Sequence, residues 1–352
     1  MKHQLILLLL GLICLTSCDP DKDIFKEEIV VDPVLEQPEG FPPLPNFAQN
    51  PITEKGIEIG KDLFESKLFS RNNAVSCASC HSQSTSFSDS VAFSQGLYGG
   101  LTSRNSMPLV NLIYHQVFFW DGRVVGLENQ IFHPVRNGLE MDMTWPEVLD
   151  RLSQDTLGTN IRNYYETQFI DSNQVSQLMA QYIRSLISAN SRFDKMRRGE
   201  IQFTLQEARG MFLFQNEGPM PGEEVGNGAD CFHCHTLETG LFTDLQFHNN
   251  GLDSEFTDLG HNEVTGNPRD IGTFKTPTLR NIEHSAPYMH DGRFSSLEEV
   301  IEHYNSGVVQ SPSLDPKMKF SEGLKLSQED KDALLAFLLT LSDEDFLSNT
   351  NQ

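Results

Sequence analysis

The sequence predicts an all-α protein built as two similar halves, on three observations. Apolar residues recur at helical spacing behind clear capping residues. A set of short motifs occurs twice in the same order. Strand-like alternation is nearly absent.

Thr53 can cap a first helix carrying Ile57, Gly60, Leu63 and Phe64. Residues 171–191 place Val175, Leu178, Met179, Tyr182, Ile183, Leu186 and Ile187 on one side, a packing face rather than a cofactor box. Thr204 and Glu207 form a capping box for a helix with Ala208, Met211 and Phe212. Ser327 with Asp330 opens a last helix carrying Ala333, Leu334, Phe337, Leu338 and Leu341. Gly- and Pro-rich loops cover 217–228 and 251–268.

The repeat aligns Gly60-Lys-Asp-Leu63-Phe64 with Gly210-Met-Phe-Leu213-Phe214. It also aligns Trp120-Asp-Gly-Arg123 and Leu127-Glu128 with His290-Asp-Gly-Arg293 and Leu297-Glu298. This predicts domains at 51–199 and 200–346, with a boundary near Gly199.

Ahead of them, Met1-Lys2 and the apolar residues 5–12 read as a secretory signal. The apolar run is far short of the roughly 20 residues a membrane span needs. Leu15-Thr-Ser-Cys18 suggests cleavage after residue 17 and lipidation of Cys18. Residues 18–50, rich in acids and proline, read as a tether. The expected location is the cell envelope, periplasm-facing and held by a lipid anchor alone. A net charge of −23 argues against nucleic acid and against a surface lying on anionic lipid.

Between the repeated elements lie Cys77-Ala-Ser-Cys80-His81 and Cys231-Phe-His-Cys234-His235. Two cysteines two apart with a histidine following at once is the attachment signature of c-type haem. One copy could be a redox dithiol or half of a zinc site. A zinc site would use both cysteine pairs on one metal and leave neither adjacent histidine explained. The reading is two covalent haems, with His81 and His235 as proximal ligands, and hence two cytochrome c-like domains. Of six cysteines, Cys14 leaves with the signal, Cys18 carries lipid and four carry haem, so no disulfide is expected.

Further motifs carry a resemblance. Arg104-Asn-Ser-Met-Pro108, Phe119-Trp-Asp-Gly-Arg123, Gln130, Pro134 and Glu140-Met141 resemble the bacterial dihaem cytochrome c peroxidases. So do Thr276-Pro-Thr-Leu-Arg-Asn281 and Ala286-Pro-Tyr-Met-His-Asp-Gly292. The resemblance implies that the His81 haem reduces hydrogen peroxide and the His235 haem receives electrons from a small donor protein, a cytochrome c or cupredoxin. It places Gln130 and Glu140 opposite His81 and Trp120 between the haems. It also implies a calcium site from Asn105 with the carbonyls of Ser285 and Pro287, and is compatible with a homodimer. The chemistry fits: a carboxylate can move a proton between the peroxide oxygens, and an amide can orient them.

Two positions depart from the family pattern. Many members carry a histidine ligand in the loop after the first haem motif; residues 82–105 hold no histidine or methionine, with Leu97 or Tyr98 in the neighbourhood and His115 and His133 as substitutes. The usual methionine ligand of the second haem, fourteen residues after His290, is Tyr304. Tyrosine here is similar to the dihaem enzyme that matures the quinone cofactor of methylamine dehydrogenase. Met289, Met318 and His303 are the other candidates near that haem. Three readings follow: a peroxidase, a dihaem oxidase of a protein or organic substrate, and a dihaem electron carrier.

Overall fold

The computed structural model describes residues 34–219, 228–318 and 323–348. The expected signal, Cys14, Cys18 and the first part of the tether lie outside them. In chain order the elements are α1 (Glu54–Glu65), β1 (Val117–Phe118), β2 (Val124–Val125), α2 (Leu127–Arg136) and α3 (Trp145–Ser153). Then come α4 (Thr156–Tyr165), α5 (Ser172–Ser185), α6 (Arg192–Arg197), α7 (Leu205–Phe214) and β3 (Phe247–His248). The chain continues through α8 (Asn262–Thr265), β4 (Phe274–Lys275), α9 (Leu297–Glu302), α10 (Gln328–Leu339) and α11 (Glu344–Ser348). Two short antiparallel pairs, β1–β2 and β3–β4, are the named strands among the described residues.

The expected caps form. Thr53 Oγ1 accepts the Gly56 amide at 3.0 Å, and Thr204 and Glu207 satisfy each other's backbone N–H groups. Ser327 Oγ accepts from Asp330 N at 3.1 Å. Each saves a helix-start donor from being left unpaired.

Two apolar clusters follow the two halves. The first gathers Leu63, Phe64, Leu178 and Tyr182 around the crossing of α1 on α5. The second gathers Phe193, Leu213, Phe214 and Phe337 around the crossing of α7 on α10. The repeated glycines sit at these crossings. A Cβ on Gly60 would lie 2.1 Å from the Leu178 carbonyl oxygen, and one on Gly210 1.9 Å from that of Ala333. Only a residue without a side chain lets the helices approach so closely.

The structure alters three expectations. The helix over 171–191 ends at Ser185. Asn111 takes over the chain there: its N–H donates to the Leu186 carbonyl at 2.9 Å, and its side chain bonds both backbone groups of Ser188. Phe193 belongs to the second cluster although it precedes Gly199, and Phe346 returns to the first, packing against Phe87 at 5.6 Å. Residues 34–50 do not stand away as a tether. Phe47 lies under Arg184 (3.9 Å) and Phe41 under Arg280 (4.5 Å). Asn50 is buried, donating to Glu128.

Candidate active site

Each Cys-x-x-Cys-His motif forms a tight 3-10 turn, Cys77–Ser79 and Cys231–His233. The following histidine N–H closes back on the first cysteine's carbonyl, at 3.0 and 2.9 Å. Beyond the turn, His81 Nδ1 donates to the Phe87 carbonyl at 2.8 Å and His235 Nδ1 to that of Phe242 at 3.0 Å. Donation from Nδ1 fixes the tautomer and leaves the Nε2 lone pair free for a metal. Burial lowers both imidazole pKa values, which keeps the rings neutral and able to ligate.

The thiols do not have the surroundings of a redox couple. All four are free, and burial pushes Cys77 and Cys231 up to about 12 and Cys80 up to about 11. Redox dithiols need a depressed pKa. Nor does any metal-ligating cluster among the described residues draw on both cysteine pairs, as one zinc site would require.

A cavity of about 250 Å³ opens beside His81. Cys77 and Cys80 border it, and so do Trp120, Gln130 and Glu140. Glu140 accepts from Asn137 Nδ2 at 2.6 Å, and its pKa is raised by burial against the opposing pull of that bond and of Arg123. Trp120 is buried, and its Nε1–H donates to the Asn105 carbonyl at 2.9 Å. Its own carbonyl accepts from Lys275 N in β4, at 2.8 Å. One residue thus joins the loop of the first half to a strand of the second.

The loop over 82–105 contributes Ser94, Gln95 and Gly96 to the cavity wall. Leu97 is buried away from it, and Tyr98 points into solvent at 74% exposure. Of the substitutes, His115 lines the cavity, whereas His133 packs edge-on against Phe119 instead. Met107, just past the loop, also lines it.

In the second half, Tyr304 lies on a π-helical turn, His303–Gly307, that extends α9. Its hydroxyl accepts from Asn250 Nδ2 at 3.3 Å, and the same amide reaches Met289 Sδ at 3.4 Å. Burial first, then the nearby Cys234 and Cys231, push the phenol up to about 12. His303 Nε2 is held against the Asn250 carbonyl at 3.0 Å. Met318 ends a short 3-10 turn. Asn105 is buried, its side-chain amide turned to the carbonyls of Val91 and Ala92, while its N–H donates to the His290 carbonyl at 2.7 Å. The Ser285 hydroxyl bonds to the Ile282 carbonyl.

The family model described as di-haem cytochrome c peroxidase matches residues 54–202. Methylamine utilization protein MauG of Methylorubrum extorquens is 34% identical over 308 residues, covering 86% of this chain and 82% of its own. The chain belongs to the di-haem cytochrome c peroxidase family. Cytochrome-c peroxidase IdrP2 of Denitromonas iodatirespirans is 30% identical over 319 residues, 82% of either chain. A solved structure described as a MauG-like protein associated with microbial copper homeostasis superposes with a TM-score of 0.78 at 30% identity, over 90% of this chain and 97% of that one. Family membership makes the chain an oxidoreductase and implies two c-type haems.

The residues fit that cofactor. Each half offers two thiols and a neutral imidazole with its Nε2 free, and the first half adds a cavity with largely apolar walls. Among the wall residues that sequence reasoning missed, Lys275 is the one that carries charge. The signal was there, a lysine inside Phe274-Lys-Thr-Pro, but nothing in the pattern says that its side chain turns inward.

Proposed function

We propose that the chain reduces hydrogen peroxide to water in the space beside His81, drawing two electrons through the second haem from a small donor protein. The overall step is H2O2 + 2e⁻ + 2H⁺ giving two waters. The observation that carries this reading is the convergence of Gln130 and Glu140 on the cavity beside His81. The haem, when bound, supplies an iron centre that accepts a peroxide oxygen and exchanges electrons with it. Glu140 takes the proton from the inner oxygen and returns it to the outer one, so that the outer oxygen leaves as water. A carboxyl with a raised pKa suits both halves of that transfer. Gln130 orients the peroxide through its amide, and Trp120 lies on the route between the halves. An electron carrier has no need of a carboxyl group and an orienting amide in this position. We place the protein in the cell envelope, periplasm-facing, with Cys18 lipidated; mass spectrometry of the membrane fraction reads that terminus directly.

A second reading is oxidation of a protein or organic substrate, in keeping with a relative named for methylamine utilization. Tyr304, in place of a thioether ligand, favours it. Steady-state peroxide turnover with a reduced cytochrome c separates the readings. Steady turnover, from an oxidised protein that reacts with peroxide without pre-reduction and shows a high-spin or water-bound ferric fraction, is expected of the peroxidase. An all-low-spin ferric spectrum with reactivity only after one-electron reduction would overturn the open first site and point to His115 or Met107 as a sixth ligand.

A further inference from the structure

Lys275 is the anomaly of the first cavity. It is 3% exposed, on β4 of the second half, yet its side chain lines the cavity beside His81. Its Nζ donates to the Val117 carbonyl at 2.8 Å and stands 5.7 Å from the Phe118 ring. Among the described residues no carboxylate is paired with it, although the chain is strongly acidic and its other buried cations, Arg184 and Arg280, each hold one. Beside it is His115, also on the cavity wall, whose Nδ1 is buried without a partner. Burying an ammonium ion without a counter-charge is unfavourable. Burial accordingly pulls the Lys275 pKa down to about 8. A cation and an unsatisfied ring nitrogen facing one cavity are the complement of a carboxylate that enters it.

We propose that Lys275, assisted by His115, is the counter-ion seat for a propionate of the haem attached at Cys77 and Cys80. This rests on the haem reading above. Haem carries two propionates and can supply the missing negative charge from inside the cavity. The seat does more than hold the group. Lys275 N–H also bonds the Trp120 carbonyl, so one residue of the second half grips both the first haem's edge and the aromatic residue beside it. The first haem is then fixed covalently from its own half and electrostatically from the other. A positive charge beside a haem edge disfavours the ferric, more positive state, so Lys275 also raises this haem's potential.

The test uses the holoprotein and the variants Lys275→Gln and Lys275→Arg. Glutamine keeps a donor for Val117 and removes the charge; arginine keeps the charge. Covalent haem is counted first, by pyridine haemochrome after denaturation. A wild-type protein without covalent haem would overturn the haem reading itself, separately from the seat. Redox titration of the doubly loaded proteins then decides. The expected result is a lower midpoint potential for the His81 haem in Lys275→Gln, a smaller shift for the His235 haem, and recovery in Lys275→Arg. His115→Phe should lower the same potential by less. An unshifted His81 haem in Lys275→Gln, or a shift confined to the His235 haem, overturns the proposal. If the glutamine variant does not fold, Lys275→Met is read in the same way.

Discussion

The two halves share a scaffold down to single hydrogen bonds and differ in what they place opposite each histidine. Asn111 and Asn281 both adopt left-handed φ values, 56° and 57°. Each clamps the exit of its half's packing helix: Asn111 holds Leu186 and Ser188, and Asn281 holds Leu341 and Asp343. Phe118 pairs with Val124 around one Asp-Gly-Arg turn, and Tyr288 with Phe294 around the other. The halves already differ just before the turn, Trp120 against His290, and differ further in the next helix. Aligned on Leu127 and Leu297, Gln130 meets Val300, and Pro134 meets Tyr304. An amide that can orient peroxide has an aliphatic counterpart, and a proline of the cavity wall has a phenol. On the proposed reading the common scaffold holds a group in each half, and the residues at and after the turn set what each group does.

The largest effect should come from removing one attachment point. Replacing Cys77 and Cys80 together by alanine should leave one covalent haem by mass and abolish peroxide turnover. Replacing Cys231 and Cys234 should also leave one haem, now on the first turn, with electron delivery from the donor lost. Two haems in either variant would break the assignment of one group to each half.

Next in size is Glu140→Gln. General acid–base groups typically contribute 10²–10⁴-fold, so turnover should fall by about 10²-fold or more with both haems in place. The pH profile sharpens this. Burial raises the Glu140 pKa, so the proton-accepting form appears only above the usual carboxylate range. Wild-type turnover should climb with pH through that raised pKa, and the variant should lose that limb. Unchanged turnover would remove Glu140 from the chemistry and leave Gln130 as the distal group that sets the first half apart from Val300 in the second.

The crossings offer a smaller, symmetrical test. Gly60→Ala and Gly210→Ala each push a methyl group into a facing carbonyl. Overpacking of this kind typically costs about 1–3 kcal/mol. Urea unfolding should show both variants destabilised. A loss in one alone would mean that the two crossings are not equivalent supports.

What the sequence makes legible follows the same division. The scaffold is readable because its signals are local: capping residues, helical spacing, and motifs that occur twice. The turn of Cys77, Cys80 and His81 is readable because its residues are contiguous. The end of α5 at Ser185 is not, because it depends on Asn111, far away in the chain. Nor is the docking of residues 34–50, whose Phe41 and Phe47 find guanidinium partners only in the folded protein. Lys275 is missed for a related reason. A lysine in a short strand reads as an exposed residue until the fold turns it towards a cavity in the other half.

The smallest expected effect concerns Tyr304. We propose it, on two independent lines, for the distal side of the His235 haem. Aligned within the family, it stands fourteen residues after His290, where a methionine ligand is usual. Aligned within the chain, it stands where Pro134 lines the first cavity. The structure brings it to Met289, the alternative donor, through the shared amide of Asn250, and into the electrostatic reach of Cys231 and Cys234. A phenol pushed up to about 12 by burial stays neutral unless a cation draws its proton away. Ferric iron is such a cation, and a phenolate ligand favours ferric over ferrous iron. Tyr304→Phe should therefore leave both haems attached and the fold intact, while changing the ferric spectrum of the second haem and raising its potential. Met289→Leu should leave that spectrum as it is. If the outcomes are reversed, with Met289→Leu altering the spectrum and Tyr304→Phe silent, the thioether is the ligand. Tyr304 is then a packed core residue, and the second half loses the feature that most sets its chemistry apart from the first.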